Sequence, residues 1–416
     1  MKVYTTIDRC RICTSTRLLP VVRIAPQFIG STFVRTNENN PKAKIKIPMT
    51  LLLCQDCGLV QLRETTRPDL LYENYFYRSN VSNTMGMDLG DVVRNVLGEA
   101  RVAAGDPVLD VGCNDGLMLS MFPPDLERVG IEPAKNIGWS HLDGSIEVIN
   151  DYFPSGLLEG RSFKAITATA MFYDLADPNH AVGEMKRLLA KDGVICIQVS
   201  YLYDTIRDMN FYDICHEHLV YYSLKSLSYL MQRNGLEVFD ASTNAVNGGS
   251  LRVMAAHKEA KRRKSKNLEY LLIRESVLHL EDPRTYDTFS KLIKLNAARV
   301  RGYIRDQVNS SKLVIGLGAS TKGNVLLQIA DITKELLPYI SERSPVKIGL
   351  RTLGTDIELI SEEAAREMNP AVMFVIPWNF KSEIVKRENE YLEAGGKLLF
   401  IMPYPYVIDK CGETRL

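Results

Sequence analysis

From Pro107 onward, the sequence alternates short apolar runs with segments of helical character, and no other feature limits the possible folds as strongly. Strands that alternate with helices in this way form parallel sheets with helices packed on both faces. The alternation resumes after Leu313, beyond a helical stretch over residues 268–308, so we expect a second domain of the same class. The strands predicted for the first domain are residues 108–111, 128–131, 146–149, 165–168 and 193–198.

The length and net charge of the chain exclude several classes of function. The chain has 416 residues, and its 51 Lys and Arg are balanced by 50 Asp and Glu. The net charge of +1 lacks the basic excess of a protein that binds nucleic acid. No run approaches the ~20 apolar residues that cross a bilayer, and residues 1–9 lack the apolar segment of a signal peptide. We expect a soluble cytoplasmic protein that binds neither nucleic acid nor membranes. Its oligomeric state stays open, and a monomer is compatible with the sequence.

Two Cys-x-x-Cys pairs lie about forty residues apart near the start of the chain. Four thiolates at this spacing can fill the tetrahedral coordination of one zinc ion. Such a closed site leaves no position for water, so it is structural rather than catalytic. Four buried free cysteines are the alternative. We predict a zinc ribbon-like module over residues 1–68, with Cys10, Cys13, Cys54 and Cys57 as the metal ligands.

The first glycine-rich turn follows a strand and precedes a helix, as in nucleotide-binding sheets. Asn114 stands where a dinucleotide motif has its second glycine, and Asp115 would repel a pyrophosphate. Glu132 ends the next strand, where a carboxylate can accept both ribose hydroxyls of an adenosine. Because Asp110 can also face a cation, S-adenosylmethionine is favoured over a dinucleotide. The predicted cofactor-binding residues are Asp110, Gly112, Cys113, Asn114, Gly116, Glu132 and Met171.

A Cys-His-Glu-His run at residues 215–218 contains two of the six histidines in the chain. Burying such groups costs free energy unless they have partners. Three interpretations compete: a general base oriented by the adjacent carboxylate, a surface turn, and a metal site that lacks a third ligand. We favour the base because imidazole has a pKa near working pH. The aromatic residues from Tyr72 to Tyr77 indicate either packing between domains or ligand contacts.

These motifs occur in a fixed order, together with Asn-Gly-Gly-Ser-Leu-Arg at 247–252 and a Gly-x-Gly turn at 316–324. Over nearly the whole chain, this order resembles the three-domain sugar C-methyltransferases, which add a methyl carbon to nucleotide-linked deoxysugars. The resemblance implies an α/β protein of three parts. They are the zinc ribbon-like module, a central class I SAM-dependent methyltransferase domain of Rossmann-like fold at 69–257, and a second Rossmann-like domain at 258–416.

The resemblance also implies a reaction and two cofactors, S-adenosylmethionine (SAM) and structural Zn²⁺. A base removes a proton beside the ketone of a nucleoside-diphosphate keto sugar, and the resulting enolate carbon receives the methyl group. The family's base corresponds to His218, and its neighbouring glutamate corresponds to Glu217. We assign orientation or enolate stabilisation to Glu217 and His216. The residues expected to support them are Asp174, Tyr77 and Tyr222.

Three positions depart from the family pattern and bear on the substrate. Cys215 replaces a tyrosine, and Asp174 and Asn247 each replace a histidine. The C-terminal domain is expected to bind the nucleotide diphosphate. The alternative is that it is a duplicated Rossmann-like domain that binds no ligand. Two other functions stay open: a nicotinamide-dependent oxidoreductase or dehydratase of nucleotide sugars, and a non-enzymatic module that binds RNA or a protein. The predicted substrate-binding residues are Ser250, Arg252, Lys322 and Asn324.

Overall fold

The computed structural model describes residues 2–72, 78–79, 83–320 and 322–416. Tyr77, predicted to support catalysis, lies outside these residues, as does most of the aromatic segment that follows Tyr72. Within the described ranges, no helix combines the length and apolar character needed to cross a membrane.

The N-terminal module is a small antiparallel β structure. Its strands and helix are β1 (Tyr4–Thr6), β2 (Leu18–Gln27), β3 (Phe33–Val34), β4 (Ile47–Cys54), β5 (Val60–Leu62), β6 (Glu64–Thr66) and α1 (Pro68–Tyr72). Strand β4 pairs with β2 on one side and with β5 on the other. The side chains of β4 are almost entirely buried, because neighbouring parts of the chain cover both faces of this strand. The module is therefore packed into the protein rather than attached at its surface.

The central domain is a doubly wound sheet. Its elements are α2 (Asn83–Ala100), β7 (Pro107–Val111), α3 (Leu117–Met121), β8 (Glu127–Ile131), β9 (Ile146–Ile149), β10 (Phe163–Thr169), α4 (Pro178–Leu188), β11 (Leu189–Ser200), α5 (Leu202–Arg207), β12 (Val220–Tyr221), α6 (Leu224–Arg233), β13 (Leu236–Asn244), β14 (Ser250–His257) and α7 (Lys266–Leu278). Over the described residues, the strand order is β13-β14-β11-β10-β7-β8-β9. Strands β7 to β11 run parallel, β14 runs antiparallel to its neighbour β11, and β13 runs antiparallel to β14. The predicted α/β class and all five predicted strands are confirmed.

The C-terminal domain is a second α/β sheet. Its elements are α8 (Pro283–Asn309), β15 (Val314–Leu317), α9 (Gly323–Ile329), β16 (Tyr339–Glu342), β17 (Arg351–Thr352), β18 (Glu358–Ser361), α10 (Glu362–Glu367), β19 (Val372–Val375), α11 (Lys381–Arg387), α12 (Asn389–Glu393), β20 (Lys397–Phe400), β21 (Tyr406–Asp409) and β22 (Gly412–Arg415). In the described part of the chain, the strand order is β22-β21-β20-β19-β15-β16-β18-β17-β3. Strands β15, β16, β18, β19 and β20 form its parallel centre.

The helical stretch expected over residues 268–308 is two helices, α7 and α8, rather than one. His279 takes a left-handed conformation with φ of 52°, which ends α7. The Asp282 side chain then accepts a hydrogen bond from the N–H of Arg284, and Pro283 occupies the first turn of α8. An aspartate followed by proline is a typical helix start, so the break is visible in the sequence.

Strands of the N-terminal module join the two larger domains. Strand β3 pairs with β17 at the edge of the C-terminal sheet, and β5 pairs with β12 of the central domain. Strand β12 directly follows the Cys-His-Glu-His run, and the N–H of Leu62 donates to the carbonyl of Leu219 at 2.9 Å. The zinc-binding module therefore supports the backbone of the predicted catalytic run.

Candidate active site

The four cysteines of the two knuckles form one compact cluster. Their sulfur atoms all lie within 4.8 Å of one another. The Sγ atoms of Cys10 and Cys57 are 3.6 Å apart, and those of Cys13 and Cys54 are 3.4 Å apart. Four Zn–S bonds of the usual length require tetrahedral edges of about 3.8 Å. The residues therefore fit a structural zinc ion held by Cys10, Cys13, Cys54 and Cys57.

A cavity of about 370 Å³ opens at the carboxyl ends of the parallel strands of the central sheet. Ligands of doubly wound sheets bind at this edge. Gly112 and Asn114 line the cavity from the end of β7, Glu132 from the end of β8, and Met171 from the end of β10. A Cβ atom on Gly112 would come within 2.6 Å of Met171, so the turn needs glycine there. Four of the seven predicted cofactor residues therefore face one cavity.

Glu132 both shapes the turn and faces the cavity. One carboxylate oxygen accepts the N–H of Asn114 at 3.0 Å, and the other accepts the N–H of Ala134 at 2.9 Å. Burial raises the pKa of Glu132, and these two backbone hydrogen bonds oppose the effect. Each oxygen has a second lone pair, which suits a carboxylate that accepts ribose hydroxyls. The site therefore fits the adenosine part of SAM.

The other three predicted cofactor residues lie behind the cavity wall. The Asp110 carboxylate accepts the hydroxyl of Thr167 at 2.8 Å, and burial raises the pKa of Asp110 to about 7. The Cys113 side chain packs against Gly130, where an added Cβ would lie 2.6 Å from its sulfur. Gly116 takes φ of 78° at the start of α3. These residues build the turn, and their side chains are not among those lining the cavity.

We expect Glu132→Ala to weaken the binding of SAM by ~1–3 kcal/mol, the cost of leaving buried polar partners unsatisfied. This corresponds to about a 5- to 150-fold increase in Kd. Isothermal titration calorimetry with SAM and with S-adenosylhomocysteine measures the change. Glu127→Ala is the matched control, because Glu127 begins the same strand and is exposed. Equal affinities for the Glu132 variant and the native protein would contradict the assignment.

The Cys-His-Glu-His run is buried beneath the rim of the cavity, and its four side chains point to different surroundings. The Nε2 atom of His216 hydrogen-bonds to the carbonyl of Ile47 in β4 at 3.1 Å. Burial lowers the pKa of His216. Tyr222 lies against Phe172, with ring centroids 5.7 Å apart, and near Arg11 of the N-terminal module. His216 and Tyr222 therefore connect the run to that module rather than to the cavity.

Asp174 and Glu217 face the cavity, whereas His218 lies just behind them. Glu217 is 8% exposed and His218 is 5% exposed. The imidazole of His218 packs on the ring of Tyr173, with centroids 4.1 Å apart. Burial, and secondarily the charge of Lys322, hold the pKa of His218 well below its usual range. The imidazole is therefore neutral at neutral pH, which is the form a general base requires.

Lys322 comes from the C-terminal domain and contacts the same cluster. Its ammonium group donates to the Asp213 carboxylate at 2.6 Å and lies 5.7 Å from the ring centroid of Tyr212. Although burial alone would lower the pKa of Lys322, the charge of Asp213 raises it. Lys322 therefore forms an ion pair beside the Cys-His-Glu-His run. The sequence predicts this group at a diphosphate, and no sequence signal identifies Asp213 as its partner.

The three other predicted substrate residues are engaged inside the protein. Arg252 is buried and binds Asp88 and Asp91, with an Arg252–Asp91 distance of 2.6 Å. Ser250 donates its hydroxyl to the carbonyl of Val246 at 2.9 Å. The Asn324 amide donates to the carbonyl of Leu353 and accepts from Thr355. The structure does not bring these three residues to the cavity, because internal hydrogen bonds hold their polar groups.

Two aromatic residues that line the cavity, Tyr152 and Phe153, were missed by the sequence analysis. They follow the carboxyl end of β9, which Ile149 closes. The rule that ligands bind beyond the strand ends applies there as it does after β7 and β8. That rule could have identified both residues.

Comparisons with known proteins agree with the order of the domains. Family models match a zinc binding domain at residues 10–72, a methyltransferase domain at 87–241 and a C-methyltransferase C-terminal domain at 245–403. The C-methyltransferase NovU of Streptomyces niveus is 29% identical over 408 residues, which cover 97% of each chain.

Two solved structures align with less than half of the chain. A SAM-dependent methyltransferase from Clostridium acetobutylicum covers 41% of this chain and 91% of its own, with 11% identity and a TM-score of 0.35. Magnesium protoporphyrin IX methyltransferase from Synechocystis, solved with bound SAM, covers 42% and 79%, with 9% identity and a TM-score of 0.33.

Proposed function

This chain belongs to the SAM-dependent C-methyltransferases, and we propose that it methylates the carbon beside the ketone of a nucleoside-diphosphate keto sugar. The observation that carries the proposal is the composition of one cavity. Glu132 and Met171 line it on the side expected for the methyl donor, and Asp174 and Glu217 line it on the side of the Cys-His-Glu-His run. A donor site and groups able to move a proton therefore share one cavity.

Carbon beside a ketone becomes a nucleophile only after it loses a proton. We assign removal of this proton to His218, whose buried imidazole is neutral and adjoins Glu217 at the cavity wall. Glu217 and His216 position the run. Bound SAM supplies a methyl group that the enolate carbon accepts, while the S–CH₃ electron pair stays on sulfur. The side chains around the cavity exclude water from the enolate, which would otherwise be reprotonated.

The nucleotide part of the proposal is supported by the C-terminal sheet. Glu342 ends β16 at the position that Glu132 holds in the central sheet, and its carboxylate accepts the N–H of Ala319 at 3.1 Å. It also accepts the N–H groups of Arg343 and Ser344. At the donor site, the Glu132 carboxylate likewise accepts backbone N–H groups of the glycine turn and of its own strand end. We propose that the glycine turn of the C-terminal sheet binds the nucleoside diphosphate, which provides binding energy remote from the reacting carbon.

Mass spectrometry of the reaction products tests the proposed function. The protein is incubated with SAM and a panel of nucleoside-diphosphate 4-keto sugars, each paired with its 4-hydroxy analogue. We expect one keto sugar to gain a methyl group on carbon and its hydroxy analogue to stay unchanged, because only the ketone acidifies the neighbouring C–H. Methyl transfer to oxygen, or equal transfer to both members of a pair, would overturn the proposal.

A further inference from the structure

Two carboxyl groups from separate loops lie on the same cavity wall. Asp174 follows β10, and Glu217 belongs to the Cys-His-Glu-His run. The Oε1 atom of Glu217 and the Oδ1 atom of Asp174 are both shielded from solvent, and neither has a hydrogen-bond partner among the described residues. A buried polar atom without a partner costs about 1–3 kcal/mol. Such atoms at the wall of a cavity are suited to a ligand.

The basic side chain in the described lining of the cavity is His180, which is exposed. The described part of the cavity lining contains no lysine or arginine. Lys322 directly precedes α9, and its ammonium group binds the Asp213 carboxylate at 2.6 Å. Two ionised carboxylates beside each other in a largely apolar cavity repel, so one of them keeps its proton.

The surroundings favour Asp174 as the protonated member. Burial, and then the charge of Glu217, raise the pKa of Asp174 well above its ordinary value. Lys322 and the hydroxyl of Tyr72 act in the opposite direction and do not outweigh them. Among the described residues, the titratable groups that interact with this carboxyl are Glu217, Lys322 and Tyr72, together with Cys215 and Tyr221.

We propose that Asp174 is a neutral carboxylic acid that donates a hydrogen bond to the ketone oxygen of the substrate and so stabilises the enolate. The inference rests on the proposed function. When His218 takes the proton from carbon, the C–H electron pair forms a C=C bond and the carbonyl π pair moves to oxygen. Asp174 keeps its own proton throughout. Its hydrogen bond strengthens as negative charge develops on that oxygen, which lowers the barrier.

Infrared difference spectroscopy tests the protonation without any substrate. At neutral pH, the native spectrum minus that of Asp174→Asn should show the C=O stretch of a protonated carboxyl. Taking the difference removes contributions from other buried acids such as Asp110. Asp177→Asn is the matched control, because Asp177 is an exposed carboxyl of the same loop, and it should leave the band in place. If the difference spectrum shows no such band, the inference is overturned.

Turnover by two variants tests the hydrogen bond. Asp174→Ala should lower kcat by about 10²–10³-fold, the usual effect of deleting a donor to a developing oxyanion. Asp174→Asn retains an N–H donor of similar shape, so it should remain at least tenfold faster than the alanine variant. Equal losses in the two variants would identify an ionised acceptor instead, and a native rate for Asp174→Ala would exclude any role.

The pH profile separates a chemical role from a structural one. The protonated acid is the active form, so native kcat should fall as the pH rises through the raised pKa of Asp174. Asp174→Asn cannot titrate and should lack this fall. If no keto sugar is methylated by the native enzyme while the infrared band is present, the proposed function fails and the protonated Asp174 stands. If sugars are methylated and the infrared band is absent, the proposed function stands and the protonated Asp174 is excluded.

Discussion

His218→Asn should lower turnover by about 10²–10⁴-fold, the usual contribution of a general base, while leaving the affinity for SAM unchanged. Asparagine preserves the approximate shape of imidazole but cannot accept a proton at working pH. Because the imidazole lies behind the cavity wall and packs on Tyr173, the substitution should leave the donor site intact. Stopped assays with the active keto sugar give kcat, and calorimetry gives the affinity of the native protein and of the variant for SAM.

Deuterium exchange makes this prediction specific to the base. In heavy water without SAM, the native enzyme should exchange the proton beside the ketone, and His218→Asn should not. His279→Asn is the control, since His279 is remote from the cavity and asparagine readily adopts its left-handed conformation. Exchange at the native rate in His218→Asn would move the base to Glu217, the member of the run that faces the cavity.

The pKa of His218 also predicts how turnover falls at low pH. A base acts in its unprotonated form, so activity is lost as the pH falls through its pKa. Burial and the Lys322 charge lower the pKa of His218 well below 6.5, so this fall in turnover should lie on the acidic side of an ordinary histidine. Lys322→Met removes the charge that contributes to the lowered pKa, and the fall in turnover should move toward higher pH.

The part of the site at the carboxyl ends of the strands could be predicted from the sequence, because a short stretch of sequence shows where a strand ends. Glu132 directly follows the buried strand β8, and Asn114 lies in the turn after β7, so both could be placed at the cavity. Asp110 does not line the cavity, and the sequence does not reveal how far below the turn a strand side chain lies. Its carboxylate binds Thr167 of the neighbouring strand, a contact between residues far apart in sequence.

The remainder of the site depends on how the domains meet, which local patterns do not specify. Arg252 lies in a motif shared with the family, yet its partners Asp88 and Asp91 belong to a helix over a hundred and fifty residues earlier. The pairing of Lys322 with Asp213 likewise joins two domains. The pairing of β3 with β17 could not be inferred either, because two-residue strands carry almost no periodicity.

Removal of the zinc site should have the largest effect on the fold. Cys54→Ser should abolish stoichiometric zinc binding, because a serine hydroxyl does not replace a thiolate ligand. Apparent zinc-binding free energies in small zinc modules are about 10–16 kcal/mol, comparable with the total stability of a domain at about 5–15 kcal/mol. We therefore expect the N-terminal module to unfold in this variant.

The loss should extend to catalysis, because the N-terminal module contacts the Cys-His-Glu-His run. The carbonyl of Ile47 in β4 holds His216, and β5 pairs with β12 next to the catalytic run. Arg11, between the first two cysteines, donates to the carbonyl of Ala176 at 3.0 Å on the loop that carries Asp174. An unfolded module would remove all of these contacts, so turnover should fall together with zinc content.

Elemental analysis and calorimetric unfolding measure the two losses, with Cys411→Ser as the matched control. Cys411 is an exposed cysteine outside the cluster, so its substitution should change neither zinc content nor the unfolding temperature. Native zinc content in Cys54→Ser would contradict the ligand assignment. Loss of zinc with native stability and native turnover would instead show that the module folds through its own buried core and that the metal is dispensable. The burial of Cys10, Cys54 and Cys57 argues against that outcome, because without the metal these thiols would lose the ion that connects the two knuckles.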